Sequence, residues 1–151
     1  MNGIVILSPD DLPAVIDGIM KIETDSFSVP WVPGDFAVSA GHGVLAVCFS
    51  GGDLIGYGCL LTAADEGEIT NLAVRPDERR VGFGGMILDR LLAEAQKRGT
   101  ARCYLEVRES NGAAIALYAS RGFSRTGVRR GYYSRPREDA VLMALDISKS
   151  I

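Results

Sequence analysis

Arg79-Arg80-Val81-Gly82-Phe83-Gly84-Gly85 sets two guanidinium groups beside a run of glycines. The apolar run before it, Ile69 to Val74, reads as a buried strand, and Met86 to Ala95 repeats apolar residues at helical spacing. The glycines therefore stand at a helix start. There the first N–H groups have no intrahelical partner, and the helix dipole favours negative charge. Glycine lets a backbone approach an anion without a Cβ in the way. Arginine adds forked donors. The segment reads as a phosphate site; the alternative is an ordinary helix start with a tight glycine entry. No Gly-Lys-Ser/Thr ending makes it a Walker loop, and the spacing is not that of a dinucleotide fold.

Other chemistries find little support. His42 is the one histidine, so it cannot build a histidine metal cluster, and a histidine-based triad would have to rely on it alone. Cys48, Cys59 and Cys103 lie apart in apolar runs, which predicts buried reduced thiols and neither disulfides nor a zinc site. No metal is expected.

The 151 residues predict a single domain, 1–151, with 47% hydrophobic and 23% charged residues. No apolar run is long enough to span a bilayer, and the N-terminus lacks the basic-then-apolar pattern of a signal peptide. A cytoplasmic location is expected. Net charge is −3, unevenly spread. Residues 1–70 hold ten acids against one base, Lys21; residues 71–151 hold fifteen bases against nine acids. The basic half carries the glycine loop, which suits a phosphorylated ligand there and a cationic substrate opposite. A sequence pI of about 5.2 argues against general nucleic-acid binding.

The elements that must position these residues follow from pattern. A strand is predicted over Gly3 to Leu7, and a helix from Pro9 through Ile22, capped by Ser8. Ser28 to Pro33 is a loop, Gly34 to Ala40 a short helix, and Gly41-His42-Gly43 its break. Val44 to Phe49 and Leu54 to Thr62 form a hairpin about Gly51-Gly52. Glu68 to Val74 is the next strand, and the helix Gly82 to Lys97 follows, ended by Gly99. Then come a strand Arg102 to Arg108, a helix Ala113 to Arg121, and strands Phe123 to Tyr133 and Asp139 to Asp146. The fold class is α/β (α+β), one mixed domain.

This order and the arginine–glycine loop resemble the GNAT acetyltransferases, whose signature Gln/Arg-x-x-Gly-x-Gly/Ala is matched by Arg79-Arg80-Val81-Gly82-Phe83-Gly84. Within them the chain is similar to the RimI group, the ribosomal-protein N-terminal alanine acetyltransferases. Leu105-Glu106-Val107-Arg108, Ser110-Asn111, Ala113 to Tyr118, Gly122-Phe123, Arg129 to Tyr133 and Arg137 to Ala140 carry this second likeness. Arg79 stands where many members have glutamine, and Gly131 where they have asparagine.

The resemblance implies a mixed, mostly antiparallel sheet flanked by about four helices, and acetyl-CoA as cosubstrate. By it, the backbone of Leu72, Ala73 and Val74 pairs strand-like with the pantetheine arm. Arg80, Val81, Gly82, Phe83, Gly84 and Gly85 hold the pyrophosphate, and Arg79 and Asn111 also belong to the cofactor site. Asn111 can also be a helix N-cap, since one oxygen suffices for that. Glu106 corresponds to the general base; its neighbours Cys103, Leu105 and Val107 suggest a desolvated carboxylate. Tyr118 corresponds to the acid that protonates the leaving thiolate. Trp31 and Tyr132, with Tyr133, are candidate walls for a peptide, packing roles being the alternative. Glu66 and Glu68 would attract a cationic peptide.

The implied activity is direct acetyl transfer, in a ternary complex, to the N-terminal α-amine of a ribosomal protein beginning with alanine. An α-amine titrates near 7.7–8.0 and lysine near 10.4, so at pH 7 roughly one α-amine in ten is neutral against about one lysine in 2,500. A single base worth about 10²–10⁴-fold suits the former. The alternatives are a GNAT acting on a small-molecule amine and a non-catalytic coenzyme-binding regulatory domain. A monomer is expected, with neither nucleic acid nor membrane as partner.

Overall fold

The structure of the protein, a computed structural model, describes residues 2–147. Seven strands form one sheet: β1 (Gly3–Leu7), β2 (Gly43–Ser50), β3 (Asp53–Ala63), β4 (Glu66–Val74), β5 (Arg102–Arg108), β6 (Ser124–Tyr133) and β7 (Glu138–Asp146). Four α-helices accompany them: α1 (Ile16–Ser26), α2 (Pro33–His42), α3 (Phe83–Lys97) and α4 (Gly112–Ser120). The strand order is β1-β2-β3-β4-β5-β7-β6. All neighbours are antiparallel except β4 and β5, which the α3 crossover makes parallel. The mixed, mostly antiparallel sheet and its four α-helices match the expected fold.

Side-chain alternation builds two cores. Along β2, Val44, Ala46 and Cys48 face the α3 side, while Leu45 and Val47 face α1 and α2. The α3 side continues across the sheet through Ile69, Leu105, Val107, Val141 and Met143. The α1–α2 side stops at β4, with Tyr57, Cys59 and Ala73. The opposite face of β5 and β7 therefore has no helix over it among the described residues. Gly58 shows how tightly α3 seats: a Cβ there would lie 2.7 Å from Ile87 Cγ2 and 2.8 Å from Leu91 Cδ1.

Two elements depart from the expected pattern. The helix from Pro9 through Ile22 is instead a 3-10 turn, Pro9–Ala14, followed by α1, which runs on to Ser26. Pro13 removes an N–H and crowds the preceding turn, so the α-helix starts afresh after it. Gly41 does not break α2, which ends at His42, with Gly43 N–H closing on the Ser39 carbonyl. Phe36, Ser39 and Ala40 are buried, and that packing overrides the glycine's weak propensity. The three cysteines are free and buried, as expected. Burial pushes the Cys59 thiol up to about 12 and that of Cys103 to about 11. Among the described residues no helix is long and apolar enough to cross a membrane, and no group of three His, Cys, Asp or Glu could hold a metal.

Candidate active site

The site begins where two parallel strands part. The β4–β5 ladder runs from Glu66↔Arg102 to Ile69↔Leu105. Beyond it, β4 stays paired to β3 as far as Gly56↔Val74, and β5 to β7 as far as Arg108↔Ala140. Each strand keeps its outer neighbour and loses its inner one. From Thr70 to Val74, β4 presents an open edge toward a cleft of about 770 Å³, lined by Leu72, Glu106, Asn111, Tyr118, Tyr132 and Trp31 among others. An unpaired edge of this kind can take an extended ligand as an extra strand.

A bulge aims the residues of that edge. Leu60 faces Ile69 and Cys59 faces Asn71, so Thr70 is an extra residue on β4. Ile69 lies in the α3-side core, and without the bulge Asn71 would share its face. Instead Asn71 turns toward α1, where its Nδ2 donates to Glu23 Oε1 at 2.7 Å. The Tyr57 hydroxyl donates to the same oxygen, and the Trp31 N–H donates to Oε2 at 2.9 Å. Glu23 is 1% exposed. None of Glu23, Asn71 and Tyr57 belongs to a motif. Their one trace in the sequence is Glu23's place seven residues after Ile16 and four after Ile19, a charge on an apolar stripe.

Glu106 sits on β5 with Tyr104 and Arg108 on the uncovered face. The expected desolvation by Cys103, Leu105 and Val107 does not arise from those neighbours: strand alternation sends all three into the opposite core. The Glu106 side chain is 22% exposed and meets Arg129 Nη2 at 3.5 Å. The carboxylate pushes the facing Tyr132 phenol above its ordinary value. It also lines a second cleft of about 770 Å³, bounded by Glu66, Glu68, Tyr104 and Leu142, where α2 ends. There burial first, and the charge of Glu106 second, raise the Glu68 carboxyl.

Tyr118 is carried by α4, 7% exposed, edge-on to Phe123 at 5.8 Å. Burial holds its phenol above the usual range, so it stays protonated at neutral pH. Tyr133, mainly by burial, is pushed up to about 12. Asn111 caps α4, its Oδ1 accepting from Ala114 N–H at 3.1 Å. That leaves its amide donors uncommitted by the cap.

At the other end of the open edge, Arg80 and Gly82 take left-handed backbone, φ 68° and 98°, and turn the chain into α3. Arg80, Val81 and Gly82 are exposed there. Of the two arginines beside the glycines, Arg79 is exposed but hydrogen-bonded to its own chain: Nε donates to the Val74 carbonyl at 2.8 Å and Nη2 to Ser26 Oγ at 3.1 Å. Phe83 packs on the α3-side core. Gly84 abuts Leu117, and Gly85 is buried where any Cβ would overlap the Arg121 guanidinium, itself paired with Asp89 at 3.0 Å. The second small residue of the motif thus answers to α4 as well as to any ligand. Trp31 is half-buried with its ring 5.1 Å from Phe36, and Tyr132 is exposed beside Arg129. Opposite them Arg108 donates to Ser28 Oγ, to the Ser134 and Pro136 carbonyls, and to Glu138. It ties both flanks of the cleft to β5.

An open strand edge, a carboxylate and a buried phenol meet at one cleft, and the open strand leads on to the exposed turn at Arg80 and Gly82 that starts α3. Similarity to known proteins agrees with this arrangement. The sequence profile described as "Acetyltransferase (GNAT) family" matches residues 16–123. The [Ribosomal protein bS18]-alanine N-acetyltransferase of Escherichia coli K12 is 41% identical, covering 98% of this chain and 99% of that protein. The crystal structure of the ribosomal-protein-S18-alanine N-acetyltransferase from Escherichia coli superposes with a TM-score of 0.85 at 40% identity, over 97% of this chain and 94% of that one. Chaetomium thermophilum Naa20, solved in complex with a bisubstrate analogue, gives 0.79 at 26% identity over 97% and 87%. The chain belongs to the acetyltransferase (GNAT) family.

Proposed function

We propose that this protein transfers the acetyl group of acetyl-CoA to the N-terminal α-amine of a protein, and that its substrate is a ribosomal protein beginning with alanine. The observation that carries the reading is the parting of β4 from β5, which opens an unpaired edge and brings Glu106 and Tyr118 to one cleft. The residues fit the cosubstrate. Leu72, Ala73 and Val74 offer backbone donors and acceptors to the amides of a pantetheine arm. Arg80 and the amides from Val81 to Gly85, at a helix start where N–H groups lack intrahelical partners, suit a diphosphate. Arg79 contributes by fixing the loop to Val74 and Ser26. Asn111 keeps amide donors for the cofactor while capping α4.

Glu106 accepts a proton from the incoming amine, directly or through water. The amine nitrogen then bonds to the thioester carbonyl carbon, and a β4 N–H steadies the oxyanion. As the C–S bond breaks, Tyr118 donates its proton to the sulfur, and the second proton of the nitrogen leaves to solvent, which returns one to the phenolate. No covalent acetyl-enzyme is needed, and the three cysteines lie in the cores as neutral thiols, poor nucleophiles. Trp31 and Tyr132 form walls of the peptide site, and the adjoining cleft with Glu66 and Glu68 suits basic residues further along the substrate. Coarse support for a protein substrate comes from the bS18-alanine N-acetyltransferases, relatives over nearly the whole chain. Action within the cytoplasm, as a monomer, completes the reading.

Mass spectrometry of a peptide that begins with alanine and carries an internal lysine, incubated with acetyl-CoA, tests it. Acetyl on the first nitrogen is expected, and none on the lysine. Turnover of small amines with no peptide turnover would replace this reading with that of a small-molecule GNAT. Coenzyme binding without any transfer would make the chain a non-catalytic binding domain.

A further inference from the structure

The buried carboxylate of Glu23 has no part in the chemistry above, yet it borders the same cleft. Its two oxygens divide their work. Oε1 takes Asn71 Nδ2 from the open edge of β4 and the Tyr57 hydroxyl from β3; Oε2 takes the Trp31 N–H from the substrate-side loop. Among the described residues no cation pairs with it. A buried carboxylate is kept by its hydrogen bonds alone here, so those three donors are held firmly. Three residues further along α1, Ser26 accepts from Arg79, which itself holds the Val74 carbonyl. The last turn of α1 thus grips both ends of the open strand, and the Glu23 carboxylate passes that grip on to the loop bearing Trp31.

We infer that Glu23 is a positioning residue that sets the width of the peptide mouth by clamping the Trp31 loop to the open edge of β4. The inference rests on the reading of the cleft as the peptide site. Its consequence is selective. The coenzyme side, anchored by Arg79 and the start of α3, does not depend on Oε2, whereas the peptide side does. Glutamine at this position keeps one oxygen. With two donors at the Oε1 place and one at Oε2, the oxygen stays at Oε1 and the amide faces the Trp31 N–H, donor against donor.

Steady-state kinetics of Glu23→Gln with a peptide beginning with alanine tests this. The peptide KM is expected to rise about tenfold or more, the scale of losing a hydrogen bond to a charged group. The KM for acetyl-CoA is expected to stay within about twofold, since none of its contacts is lost. Tyr57→Phe is the control, because it weakens the same buried network without touching the loop; its peptide KM is expected to stay within about twofold. Calorimetric CoA binding shows that each variant is folded. If Glu23→Gln does not fold, Glu23→Asp, which withdraws the carboxylate by one methylene, takes its place with the same expectation. An unchanged peptide KM in the folded Glu23 variant would overturn the inference. So would an equal rise in Tyr57→Phe, which would make the network merely structural. Absence of peptide turnover by the unaltered enzyme would instead defeat the proposed function itself.

Discussion

Strands β2 and β3 are buried on both faces, whereas β5 is buried on one. Val44 to Cys48 are at most 1% exposed whichever way they point. On β5, Cys103, Leu105 and Val107 are buried but Tyr104, Glu106 and Arg108 are not. The first half of the sheet is enclosed and carries almost no charge, so it stabilises. In the second half, β5 leaves one face only partly covered and places its ionisable groups there. Between them lies β4, paired on one side and open on the other. The lesson is that the cleft holding Glu106 and Tyr118 lies at the boundary of the α1–α2 layer.

If the division is real, changes on the open face should cost rate and changes in the enclosed half should cost stability. The largest effect is expected from Glu106→Gln, a loss of about 10²–10⁴-fold in kcat at near-neutral pH with CoA affinity unchanged by calorimetry. Tyr118→Phe should lower kcat in the same way, by less. A Glu106→Gln enzyme of full activity would remove Glu106 from the mechanism and blur the two halves. Next comes Gly58→Ala, which forces a methyl into the Ile87 and Leu91 side chains. It is expected to lower unfolding free energy by about 1–3 kcal/mol in urea melts, while the folded enzyme keeps its kcat.

Alkaline pH should weaken the whole protein from the enclosed side and the open side together. Tyr57, Tyr118 and Tyr133 all titrate higher folded than the ordinary phenol value of 10.0, Tyr133 at about 12. Above pH 10 the unfolded chain sheds phenolic protons that the folded one retains, which favours unfolding. Stability should hold below pH 10 and fall between pH 10 and about 12, followed by denaturant midpoints. A flat profile would mean that these phenols are not held as the structure places them. The smallest effect is expected from Arg129→Ala. Its pair with Glu106 is half in water, at 55% exposure of the arginine, so the change should cost no more than about 1 kcal/mol of stability. A larger loss would show the open face to be part of the scaffold after all.

What could be read without coordinates were the features that rest on neighbours in sequence. The strand Arg102–Arg108, the helix start at Gly82, the Asn111 cap and the amphipathic stripe of α3 each depend on residues within a turn or two. So did the order of elements and, through the Arg79 to Gly84 signature, the family. The environment of Glu106 was misread because adjacent residues on a strand point to opposite faces, so sequence neighbours are not spatial ones. Arg79, expected in the cofactor site, is bound to Val74 and Ser26, since its reach is decided by the end of α1, 53 positions away.

The sequence by itself determined which segments are helix and strand, which of their faces are apolar, and where a chain could turn tightly enough to meet a phosphate. These are local energies of backbone and burial, and they act whatever the rest of the chain does. Tertiary structure alone decided that β4 and β5 part after Ile69, that one extra residue turns Asn71 toward Glu23, and that Glu106 and Tyr118 share a cleft. Those outcomes depend on contacts 34 and 48 positions apart, from Glu23 to Tyr57 and to Asn71. Such pairings form only when the sheet has closed, because the entropy of joining distant segments is offset by the burial of the whole core and not by any motif within it.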